Sequence, residues 1–150
     1  MTNPYELIRA QLSKMVPFAN EVGIELGPIS DGEATATLTQ RPETSNHIQS
    51  IHAGAMFTLG EAASGSALAG AIAPVLLNCR PVAKDAQISF KKIAKGTLTA
   101  SAKTSRPGSE ILAELNTEGK IVFDVNVDIQ NEQGDTVAEV KVTWHVRQNA

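Results

Sequence analysis

Between residues 52 and 73 the chain carries one charged side chain, Glu61, and neither Lys nor Arg. Alanines, leucines, Met56, Phe57 and Ile72 occupy most of the remainder on nearly every helical face, and Pro74 ends the run. A segment apolar all round predicts a helix buried on all sides, not one lying on a surface. Gly54, Gly60, Gly65 and Gly70 interrupt it, and each would cost about 1 kcal/mol relative to alanine in an exposed helix. Close packing of other elements against those bare backbone positions is the expected compensation. A helix of about 21 residues is roughly 30 Å long, and so is a strand of about nine residues. A curved sheet can therefore wrap one such helix, an α+β layer arrangement with the helix as core.

The flanking sequence supplies the strands. Residues 22–29 and 33–40 surround Ser30-Asp31-Gly32, and the second run alternates Ala and Thr, which predicts a hairpin. Beyond a loop at residues 78–81, Ala86, Ile88 and Phe90 share one face, Gly96 marks a turn, and Leu98, Ala100 and Ala102 share the next face. Ile121 to Ile129 and then Val140, Val142, Trp144 and Val146 alternate strictly around a turn at residues 131–134. These four runs predict an antiparallel meander. Short helices are expected at Pro4–Met15, closed by Pro17, and at residues 109–116 behind the Arg106-Pro107-Gly108 breaker.

At 150 residues the chain fits one domain spanning 1–150. A net charge of −3 offers no general attraction to nucleic acid or an anionic membrane. No apolar run approaches the ~20 residues that span a bilayer, and no signal peptide is evident, so a cytoplasmic location is expected. The lone Cys79 has no internal disulfide partner, and no Cys/His spacing suggests a metal site. The charge is uneven: from Lys84 to Arg106, six cations face only Asp85. Such a strip suits a small anionic ligand, or equally a lysine-protected sheet edge.

An ionised carboxylate taken out of water is neutralised, paired or functional. Burial would raise the pKa of Glu61 and make it a better base near neutral pH; read alone, the residue fits a helix surface at a subunit boundary equally well. Upstream lie Asn46 and His52, and the amides of Ala53 and Gly54 fall at the first turn of the predicted helix, where they lack intrahelical acceptors. Such amides and the helix dipole suit a developing oxyanion. Met56, Phe57, Leu59 and Leu68 are the apolar candidates for lining a pocket.

The stretch from Asn46 through His52-Ala53-Gly54 to Glu61 resembles the signature of PaaI-like hot-dog thioesterases: an Asn, His-Gly-Gly opening the central helix, and an acid about two turns in. Element order agrees over nearly the whole chain. The resemblance implies the hot-dog fold, a curved antiparallel sheet around a long central helix, and hydrolysis of an acyl-CoA substrate without a cofactor. It implies Glu61 as general base or nucleophile, the Ala53 amide helped by Gly54 as oxyanion donor, Asn46 orienting the water or the carboxylate, and His52 holding the thioester oxygen or the loop. It further implies that helix start and acid come from different subunits of a homodimer, with pairing into tetramers open. Lys91, Lys92, Lys103 and Arg106 become candidates for the coenzyme A phosphates. Two departures stand out: Ala53 replaces the first glycine, and Gly65 stands where relatives place a helper side chain. A non-catalytic acyl-CoA-binding protein and a hot-dog hydratase or dehydratase are the rival readings.

Overall fold

The computed structural model describes residues 3–149. The expected central helix is present as α3, Ala53–Ala71, with thirteen of its nineteen residues buried. Around it curves a six-stranded antiparallel sheet of β1 (Ile24–Ser30), β2 (Glu33–Thr39), β3 (Cys79–Phe90), β4 (Thr97–Thr104), β5 (Lys120–Gln130) and β6 (Thr136–Gln148). This is the hot-dog architecture that the resemblance implies. The inner face is graded by side-chain size. Ala34, Ala36, Ala100 and Ala102 bring β2 and β4 close to the helix, while Val125, Val127, Val140 and Val142 fill the wider space under β5 and β6.

The helix glycines explain how close that approach is. A Cβ on Gly60 would stand 2.7 Å from Val140, and one on Gly70 would stand 1.9 Å from the carbonyl oxygen of Ser30, the last residue of β1. Both distances are impossible for packed atoms, so two of the four glycines are required by the sheet. Gly65 is different: its added Cβ would meet Trp144 at an ordinary 3.5 Å.

The order across the sheet is β1-β2-β4-β5-β6-β3, which corrects the expected four-strand meander. β4, β5 and β6 do follow one another, but β3 pairs with the far side of β6. Length gives the reason: β3 has 12 residues and β6 has 13, whereas β4 has only 8, so pairing with β6 satisfies more backbone groups. The crossing segment, residues 91–96, is pinned where the Lys91 N–H donates to the Val137 carbonyl (2.7 Å) and the Ile51 N–H to the Ala94 carbonyl (2.8 Å). The strand also begins at Cys79, inside the stretch expected to be loop.

α1 (Pro4–Met15) forms as expected, its first turn capped by Asn3. Pro17 does not simply end it. A second helix, α2 (Pro17–Val22), starts there with proline at its first turn and closes on Gly23 at φ 92°, because proline's missing N–H is harmless at the first helical position. α1 and α2 together roof the end of the sheet at β1. α4 (Gly108–Glu118), slightly longer than expected, buries Ile111 and Leu115. Among the described residues no helix is long and apolar enough to cross a membrane.

Candidate active site

Glu61 lies near the middle of α3 and is half-buried. Its carboxyl pKa is raised from the ordinary value by desolvation alone, with no charge partner contributing. It borders a cavity of about 230 Å³ formed between α3, the α1–α2 roof, β1 and the Trp144 side of β6. Leu12, Val16, Ile24, Leu26, Leu68 and Leu76 supply most of its wall. Of the four apolar candidates named from sequence, only Leu68 faces this space. Leu59 is fully buried in the core, and Phe57 is partly exposed near the start of α3. The roof residues were invisible as pocket formers because α1 reads as an ordinary amphipathic helix and α2 was not expected.

Beneath Glu61 the helix backbone is braced. The Ser64 hydroxyl donates to the Glu61 carbonyl (2.7 Å) and accepts from the Trp144 indole N–H (3.0 Å). Trp144 thus ties α3 to β6 at the turn that carries the carboxylate. The sequence shows a Ser and a strand Trp there but not that they meet, since eighty residues separate them.

The start of α3 forms the second half of the candidate constellation. His52 is the N-cap, extended at φ −63° and ψ 141°, and its Nδ1 accepts the Gly54 N–H at 2.8 Å. That amide is therefore taken, contrary to its expected share in an oxyanion hole. The Ala55 and Met56 amides both reach the His52 carbonyl, so the Ala53 N–H is the first-turn donor with no acceptor among the described residues. With Nδ1 accepting, a neutral His52 imidazole carries its proton on Nε2, on the exposed side.

Asn46 shapes the loop before the helix. Its side-chain oxygen accepts from the Ile48 and Ser50 amides (3.1 and 3.0 Å), and its Nδ2 donates to the Ser50 hydroxyl (2.8 Å). Gln49 adopts φ 57° inside this turn, with its carbonyl accepting from Gln40 Nε2. A left-handed non-glycine residue is uncommon, and here the Asn46 turn and Gln40 hold it. In this arrangement Asn46 positions the loop.

Asn46 and Ala53 share a surface recess with Lys91 and Lys92, together with Met56, Phe90 and Ile93. Lys103 and Arg106 are elsewhere. Lys103 stands six residues past Thr97, about 20 Å along β4, on the outer sheet face beside Asn126 and 3.7 Å from Glu33. Arg106 is held 3.0 Å from Glu114 of α4. The strip that is continuous in sequence is thus divided between two ends of the sheet, because β3 and β4 diverge from their shared loop.

Glu61 and the Ala53 amide are eight residues apart on one helix, about 12 Å along its axis. One α3 cannot bring both to a single carbonyl group. The helix start is exposed on the isolated chain, with His52, Ala53, Gly54 and Phe57 all open.

Comparison with known proteins fits this architecture. A Pseudomonas aeruginosa protein of unknown function, described as a probable thioesterase, is 24% identical, with 99% of each chain covered and a TM-score of 0.82. The Escherichia coli PaaI protein from the phenylacetic acid degradation operon is 22% identical over 98% of this chain and 94% of its own, with a TM-score of 0.74. A hypothetical thioesterase from Streptococcus pneumoniae, solved with coenzyme A, is 22% identical over 94% and 98%, with a TM-score of 0.70. At these identities the likeness is one of fold. No curated protein matches the sequence. Residues 5–146, nearly the whole chain, match the family described as a domain of unknown function, DUF4442, and the chain belongs to that family.

Proposed function

We propose that the protein is an acyl-CoA thioesterase, acting as a homodimer in which Glu61 of one copy works with the helix start of the other. The observation that carries this reading is a lone carboxylate, raised in pKa by desolvation, at the wall of an apolar cavity. The roughly 12 Å between Glu61 and Ala53 on one helix supports a site shared between copies. The open edge of β3, with Val82 and Phe90 exposed, supports association of copies as well, since an unpaired strand edge is a ready docking surface.

In the proposed step, the thioester oxygen accepts the Ala53 N–H of the second copy, at the positive end of its α3. Glu61 takes a proton from water, and the oxygen of that water bonds to the carbonyl carbon. The C–S bond then breaks, and the coenzyme A thiolate leaves and takes up the proton that Glu61 holds, which returns Glu61 to its ionised form. His52, with its proton on Nε2, can donate toward the thioester, and Asn46 fixes the loop that presents it. Lys91 and Lys92, beside Ala53, are the cations we assign to the coenzyme A phosphates. The reaction needs no metal or redox group.

The test is a panel of acyl-CoA esters with detection of released thiol. Release from at least one ester, lost in Glu61→Gln, is the expected result. A change in enoyl absorbance without thiol would instead make the protein a hydratase. Binding without either reaction would make it an acyl-CoA-binding protein. A single turnover in heavy-oxygen water tests the nucleophile role, because label in the Glu61 carboxylate requires an anhydride intermediate opened at the Glu61 carbonyl.

A further inference from the structure

Three hydroxyl-bearing side chains are buried along α3, and they differ in one respect. The Thr58 hydroxyl donates to the Gly54 carbonyl and the Ser64 hydroxyl to the Glu61 carbonyl, each at a normal distance. The Ser66 hydroxyl, on a residue only 1% exposed, has no partner among the described residues. A helix serine ordinarily bonds back to the carbonyl one turn earlier, and a buried hydroxyl left alone is unfavourable. Ser66 borders the same apolar cavity as Glu61. The other small hydroxyl on that wall, Ser13, is already bonded to the Arg9 carbonyl at 2.8 Å.

We propose that Ser66 is a specificity-determining residue: the cavity takes the acyl chain, and the Ser66 hydroxyl pairs with an oxygen carried partway along it. This rests on the thioesterase reading for the identity of the bound group. A cavity of about 150 Å³ lined by aliphatic side chains holds a benzene ring, so the 230 Å³ here has room for a medium-length chain. Position follows from helix geometry. Ser66 lies five residues beyond Glu61, about 7.5 Å along the axis, and the Glu61 side chain leans toward the helix N-terminus, away from Ser66. At about 1.5 Å per carbon–carbon bond, the oxygen must sit at least about five bonds from the thioester carbon. The substrate class is therefore a medium-chain acyl group with a distal hydroxyl or keto oxygen; an oxygen at the 3-position is too close to reach.

The experiment compares octanoyl-CoA, 7-hydroxyoctanoyl-CoA and 3-hydroxyoctanoyl-CoA on the wild type and on Ser66→Ala. The wild type should favour the 7-hydroxy ester over the plain ester by about tenfold or more in kcat/KM, the effect of one buried hydrogen bond. It should give the 3-hydroxy ester no such advantage. In Ser66→Ala the preference should vanish or reverse, because an apolar wall gives a hydroxyl nothing to bond. Equal preference in both proteins, or no preference in the wild type, overturns the proposal. A second arm measures binding of the free 7-hydroxy and plain octanoic acids by calorimetry, which needs no turnover. A Ser66-dependent binding preference with no thiol release from any ester keeps the Ser66 site and removes the thioesterase. Thiol release without preference in either arm does the reverse.

Discussion

Glu61 ionises against a desolvation penalty that exists only in the folded state, and that fixes the sign of its pH dependence. The folded pKa lies above the ordinary glutamate value of 4.5, so between the two values the unfolded chain loses a proton that the folded chain keeps. Stability therefore falls as pH rises through this window, and the full penalty persists above it. Glu61→Gln removes the penalty. We expect the variant to melt at a higher temperature than the wild type at pH 7, with the gap closing toward pH 4, in a series of thermal melts. Activity should move oppositely: a carboxylate base works only when ionised, and its loss should lower kcat by about 10² to 10⁴. The acid limb of the wild-type pH–rate profile should lie above 4.5. A variant both more stable and nearly inactive marks a residue held in place for chemistry; a less stable one would assign Glu61 a structural role.

At the level of the helix, the glycines of α3 separate packing from propensity. Gly→Ala in a helix interior gains up to about 1 kcal/mol when space allows. Gly65→Ala meets only an ordinary contact with Trp144, so we expect a stability gain of that order in urea unfolding. Gly70→Ala drives a methyl group into the Ser30 carbonyl, and backbone does not yield as a side chain does. There we expect a net loss of about 1–3 kcal/mol, read by the same method. The loop between β3 and β4 makes a second element-scale test. Lys91→Ala with Lys92→Ala should raise KM for coenzyme A esters more than for short thiol esters lacking the nucleotide. Lys103→Ala, about 20 Å along β4, should leave that ratio alone. Similar KM changes for both ester classes would detach the loop from phosphate binding.

For the whole molecule, the decisive question is whether one copy completes the site of another. Ala53→Pro removes the free N–H at the first helical position, where proline is well tolerated, and His52 already has the extended backbone a following proline requires. We expect this variant to fold and to lose about 10² to 10³ in kcat. Mixed and re-equilibrated with Glu61→Gln, it should recover activity. Half the dimers would be mixed, and each would hold one intact site, which restores about a quarter of the wild-type rate. Failure to recover, with subunit exchange verified by mass, would place the whole site within one chain. Melting temperature should also rise with protein concentration if folding and association are linked.

The buried helix, the hairpin and the strand faces were written in local chemistry: an apolar run with one charge, strict alternation, and turn residues. Each is a property of neighbours in sequence, so position along the chain suffices to read it. Glu61, His52 and Asn46 stood out for the same reason, as polar groups in or before a segment built for burial. The rest depends on what distant segments do to one another. β3 joined β6 because their lengths match, and Pro17 opened α2 instead of merely closing α1. The basic strip was split by diverging strands, and the Gly54 amide was taken by the imidazole two residues before it. Ser66 became notable only when its neighbours were found to leave its hydroxyl unpaired, since a hydrogen bond is decided by angles and distances that only the assembled fold sets.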